Sequence, residues 1–180
     1  CIVFHGHGGV VVGSEMSGGV HDLFVNNCQF LDTDVGLRFK TMRGRGGVVE
    51  NIFIQEISMK NIAGEAILFD MYYQGKDPVS TFGNGGETPK IELVPVNEGT
   101  PQFKNIFIDN VVAKGAETGL LIRGLPEMPI HHIELNNIDI ESNQGYRVIE
   151  AKDITLKQAK FTETGTKKSE MFHVKNWKLN

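Results

Sequence analysis

Asp22-Leu-Phe-Val-Asn-Asn-Cys28 returns as Asn51-Ile-Phe-Ile-Gln-Glu-Ile57, as Asn105-Ile-Phe-Ile-Asp-Asn-Val111 and as His132-Ile-Glu-Leu-Asn-Asn-Ile138. A weaker copy is Asp153-Ile-Thr-Leu-Lys-Gln-Ala159, and Asn176-Trp-Lys-Leu-Asn180 reads as the start of a last one. The second residues of the first five copies stand at 23, 52, 106, 133 and 154, giving steps of 29, 54, 27 and 21. The long step is either two coils or one coil with an insertion. Shortly after each phrase comes a second apolar segment: Gly36-Leu-Arg-Phe-Lys40, Ala66-Ile-Leu-Phe-Asp70, Gly119-Leu-Leu-Ile-Arg123 and Tyr146-Arg-Val-Ile-Glu150.

These segments are short, β-branched and aromatic, with Gly and Asn between them, which is how strands and their turns read. No stretch sustains a helical period. A repeat of this length built from short strands is a solenoid. The expected fold is therefore all-β, a parallel β-helix of about six to seven coils and partial in extent. Asn suits a coil corner because it tolerates the left-handed conformation and its amide can bond its copy in the next coil. A leucine-rich repeat would need a different Leu spacing and convex helices. A doubly wound fold would need helices between its strands.

Working outward, residues 1–180 read as one β-helix domain fragment with a long loop inserted at about 71–104. The loop opens at Met71-Tyr-Tyr-Gln-Gly-Lys-Asp-Pro78 and closes near Gly99-Thr-Pro-Gln102, after which the repeat resumes in phase at Phe103. Long loops on solenoids often wall a binding groove. Composition is that of an ordinary globular chain, 40% hydrophobic and 22% charged. No apolar run of about 18 residues is present to span a membrane. A net charge of −4 argues against a nucleic-acid partner. The chain starts at Cys1 without an initiator Met or a signal peptide. Cys1 and Cys28, one repeat apart, read as small stacked core residues.

Against the acidic bulk, Arg38-Phe-Lys-Thr-Met-Arg-Gly-Arg45 holds four cations and no acid. A solvated basic turn or a site for an anionic ligand would both read this way. Strand alternation turns Leu37 and Phe39 to the core and Arg38 and Lys40 outward together. Counted from the paired cysteines, His7 faces the same side. A metal site from His5 and His7 with Asp32 or Asp34 lacks a fixed ligand spacing, so no metal and no cofactor is expected. Asp32-Thr-Asp34 opens like a calcium loop but lacks its remaining ligands. His131 and His132 should point to opposite faces.

Gly6-His7-Gly8, followed one coil later by Arg38-Phe39-Lys40, resembles the polygalacturonase family, glycoside hydrolase family 28. Gly13-Ser14 fits the same pattern, and the stretches Thr41–Gly47 and Gly64–Tyr73 resemble its bacterial members. The resemblance covers most of residues 1 to 150. It implies a right-handed parallel β-helix that hydrolyses α-1,4 bonds of polygalacturonate with inversion. In such chemistry one carboxylic acid protonates the leaving oxygen and opposing carboxylates activate a water. Arg38 and Lys40 would bind substrate carboxylates, and His7 would support a catalytic aspartate. Arg43 and Arg45 would extend the cationic floor, and Tyr72 or Tyr73 would stack on a sugar. The resemblance further implies a secreted or periplasmic enzyme, monomeric at full length, with pectin oligosaccharide as its partner. The family's Asn-Thr-Asp and Asp-Asp motifs are not found in these 180 residues. The expectation is a fragment, inactive alone, whose catalytic aspartates lie upstream of Cys1. Rival readings are a rhamnogalacturonan hydrolase of the same family, a calcium-dependent pectate lyase, and a non-catalytic structural or carbohydrate-binding β-helix.

Overall fold

The computed structural model describes residues 1–73 and 92–180. Its strands are β1 (Ile2–Phe4), β2 (Val10–Val12), β3 (Val20–Leu31), β4 (Leu37–Lys40), β5 (Val48–Asp70), β6 (Gln102–Arg123), β7 (Ile130–Glu163) and β8 (Glu170–Leu179). No helix occurs among the described residues. Every strand pairing is parallel, each coil lying on the one before it.

The register follows the repeated phrase. Leu23 lies opposite Ile52, Ile52 opposite Ile106, Ile106 opposite Ile133, and Ile154 opposite Trp177. The step of 54 residues is thus one coil with an insertion. The chain leaves the solenoid after Asp70 and rejoins at Gln102, opposite Val48. Residues 74–91 of the expected 71–104 loop lie outside the described residues.

Strands as long as β5 and β7 turn corners without breaking, through single left-handed residues. Asp22, Asn51, Asn105, His132, Asp153 and Asn176 occupy one corner with φ of 53° to 55°. Asn27, Glu56, Asn110, Asn137 and Gln158 occupy the next. This conformation costs an ordinary L-residue roughly 1–2 kcal/mol, and Asn or Asp offsets it through local hydrogen bonds. Here the side chains also bond along the stack. Asn110 Nδ2 donates to Glu56 Oε1 at 2.9 Å, Asn137 Nδ2 donates to Asn110 Oδ1, and Asn176 Nδ2 donates to Asp153 Oδ1 at 2.8 Å.

Inside, Phe39 and Phe69 stack with centroids 4.8 Å apart, and Phe103 meets both edge-on. All three are fully buried. Full burial of such a side chain contributes about 1.5–3 kcal/mol, and the cluster joins β4, β5 and β6 through the core. A second stack, Phe24–Phe53–Phe107, runs along the outside.

Ile2 pairs with Gln29 and Gln29 N donates to Cys1 O at 2.8 Å, so Cys1 and Cys28 occupy equivalent places on adjacent coils, Cys28 buried and Cys1 exposed. One local expectation is corrected. His131 and His132 do not diverge: their Nδ1 atoms lie 2.7 Å apart. The reason is the left-handed corner at His132, where strand alternation no longer holds.

Candidate active site

β4 is the floor of the site. Leu37 and Phe39 enter the core, and Arg38 and Lys40 stand half-exposed on the outer face. β2 lies against this strand, Val11 opposite Arg38. The turn before β2 carries His7, and two backbone bonds lay it on the turn before β4: Asp34 N to Gly6 O and Gly9 N to Val35 O, both 3.0 Å. His7 is thereby set between two side chains of the next coil. Its Nδ1 is 2.6 Å from Asp34 Oδ2, and its Nε2 is 2.6 Å from Arg38 Nη1. Gly13, at φ +94°, lets the chain pass close to β4; a Cβ there would lie 1.9 Å from the Lys40 carbonyl oxygen.

Lys40 Nζ sits 4.3 Å from the centroid of the Tyr73 ring, a cation–π arrangement. Among the described residues no carboxylate pairs with Lys40. Its neighbour in register, Asp70, is already committed. Asp70 Oδ2 accepts from Arg123 Nη2 at 2.6 Å and Oδ1 accepts from Tyr72 N at 2.8 Å. The chain leaving β5 is pinned so that Tyr73 N bonds Thr41 O.

The other basic residues are engaged by acids. Arg43 meets Glu127 through two hydrogen bonds and donates from Nη2 to Glu92 O at 2.8 Å. Arg45 Nη1 lies 3.0 Å from Glu15 Oε1. The Glu15 carboxyl is held below its usual range, first by the Ser14 hydroxyl and further by Arg45. Tyr72 packs rather than projects: burial pushes its phenol up to about 12, and its buried Oη has no partner among the described residues. Glu65 lies within the fields of Arg123, Asp70 and Arg38, and burial raises its carboxyl above the usual range. No three His, Cys, Asp or Glu side chains among the described residues are grouped as a metal ion would require.

Residues 1–154 match the family described as Glycosyl hydrolases family 28. The chain belongs to that family. Over 69 residues it is 38% identical to an exo-poly-alpha-D-galacturonosidase of Dickeya chrysanthemi, covering 38% of this chain and 12% of that protein. Over 131 residues it is 27% identical to a probable polygalacturonase of Vitis vinifera, covering 73% of this chain and 24% of that protein. A hyperthermoactive exopolygalacturonase from Thermotoga maritima superposes with a TM-score of 0.61 at 30% identity, over 76% of this chain and 26% of that one. The family 28 exopolygalacturonase of Yersinia enterocolitica gives 0.72 at 20% identity, over 98% of this chain and 29% of that one. The chain thus spans less than a third of the length of each of these proteins. The fold it shares with them is the right-handed parallel β-helix.

Within this family 28 chain, sequence reasoning placed His7, Arg38, Lys40 and Tyr73 in one region, and the structure brings them together there. It missed Asp70, Glu127 and Glu65 altogether, and it weighed Asp34 only as a metal or calcium ligand. Asp34 had a legible signal: it follows His7 by 27 residues, the same step that separates Cys1 from Cys28.

Proposed function

We propose that the protein of which this chain is part hydrolyses α-1,4-galacturonosyl bonds of polygalacturonate with inversion, and that the described coils hold the substrate's carboxylates. The observation that carries this reading is the pair of cations on the outer face of β4: Arg38, fastened by His7, and Lys40, without an acidic partner among the described residues. Galacturonate presents a carboxylate on every sugar. Arg38 offers it the planar fork that fits such a group, and Lys40 offers a point charge. Tyr73 stacks beside the sugar ring with Lys40 above it. His7 supports the site by holding Arg38 in place through Nε2. Arg43 and Arg45, tied to Glu127 and Glu15, shape the wall and add positive potential without direct ion pairing to substrate. The protonating and water-activating carboxylates are supplied from outside these residues. A polymer of plant cell walls places the enzyme outside the cytoplasm, secreted or periplasmic.

The test is calorimetric titration of the chain with trigalacturonate and with an uncharged galactose trimer. Trigalacturonate is expected to bind, more weakly as salt rises, and the neutral trimer is not. Binding left intact by Arg38→Ala would overturn the reading and favour a structural β-helix.

A further inference from the structure

We infer that Asp34 is a positioning residue, one that fixes the tautomer of His7 and through it the aim of Arg38; this rests on the function proposed above. Arginine carries no acceptor, so the 2.6 Å contact to His7 Nε2 has Arg38 Nη1 donating. Nε2 therefore presents its lone pair to the guanidinium. The ring proton then sits on Nδ1, where it is donated to Asp34 Oδ2 at 2.6 Å. A carboxylate on one imidazole nitrogen decides what the other can do, as it does wherever a histidine is oriented by an acid.

Asp34 has no evident structural duty to explain its presence. The left-handed corner of its turn is Asp32, and it is Asp32 that accepts the ladder bond from Asn61 Nδ2 at 3.0 Å. The Asp34 side chain is 62% exposed and has no other side-chain partner among the described residues. Its turn is nonetheless held firmly to the His7 turn by the two backbone bonds described above. The Arg38 Nε is buried without a partner, so the bond to His7 is the one side-chain hydrogen bond that orients this guanidinium among the described residues. Without Asp34 the imidazole is free to carry its proton on Nε2. A donor would then face a donor, and Arg38 would swing from its place over the sheet.

The experiment uses the full chain with isotope-labelled histidine nitrogens, His7 being assigned by its loss in His7→Gln. Long-range proton–nitrogen correlation is expected to show the proton on Nδ1. In Asp34→Ala it should move to Nε2 or average between the two, and Asp34→Glu should restore the Nδ1 form. Trigalacturonate affinity should fall about fivefold in Asp34→Ala, the scale of one hydrogen bond, and recover in Asp34→Glu. An Asp34→Ala variant that keeps the Nδ1 proton and full affinity overturns the inference. If the parent chain binds no trigalacturonate at all, it is the function proposed above that falls, and the tautomer measurement alone decides the role of Asp34.

Discussion

Glu127 accepts two hydrogen bonds from Arg43, at 2.6 and 2.9 Å, across 84 residues of sequence. The Glu127 side chain is only 2% exposed, and the Arg43 guanidinium is held above its ordinary range, first by its hydrogen bond to that carboxylate. Removing one partner of a buried pair strands the other charge, at about 3–5 kcal/mol. Because Arg43 itself is 32% exposed, Arg43→Ala is expected at the lower end, about 3 kcal/mol. The double variant with Glu127→Ala should lose less than the sum of the single ones. Urea unfolding of the four proteins measures this, and strict additivity would show that the pair is not coupled.

Lys40 carries the second cation of the site. Lys40→Ala should weaken trigalacturonate binding by about tenfold or more, the scale of a hydrogen bond to a charged group. The affinity that remains should depend less steeply on salt, since one charge of the encounter is gone. An unchanged salt slope would mean that Lys40 does not meet the ligand.

Asn110 occupies a left-handed corner and links Glu56 to Asn137. Asn110→Ala adds conformational strain to the lost bonds and should cost about 2 kcal/mol or more. Asn110→Gly keeps the conformation and should cost less. Equal losses in the two variants, read from thermal unfolding, would assign the whole effect to the amide ladder.

Glu65 supplies a pH signature. Burial raises its carboxyl above the unfolded value near 4.5, so the folded chain binds the proton more tightly than the unfolded chain does. The stability this gives is complete below the unfolded value and is lost as pH rises through the folded one. Compared with Glu65→Gln, the parent chain should lose stability progressively as pH rises from the unfolded value near 4.5 through the raised folded one. Paired urea midpoints across that range would show the gap; a constant difference would contradict it.

The coils were legible because a solenoid repeats its own register. Leu23, Ile52, Ile106 and Ile133 stand in one column since each closes one turn. Arg38 and Lys40 were readable as outward because Leu37 and Phe39 alternate with them inward. Turns carry no such alternation, which is why His131 and His132 were misjudged. The Arg43–Glu127 pair was hidden for a different reason. It joins the stretch after β4 to the stretch before β7 across 84 residues, and although that is close to the sum of two coil steps, nothing in either neighbourhood names the other. Asp70 closes an apolar segment, and its partners are the local Tyr72 backbone and, on the neighbouring coil, Arg123.

Gln102 resumes opposite Val48 and Phe103 opposite Val49, as a knitted row continues after a pocket has been sewn into it. Doubling the length of such a detour adds only about 0.6 kcal/mol of closure entropy, and the rows on either side keep their stitches. The excursion between Asp70 and Gln102 can therefore be lengthened, shortened or exchanged without shifting the register of the coils that carry it. In this architecture the length of an excursion and the register of the strands it interrupts are set independently of each other.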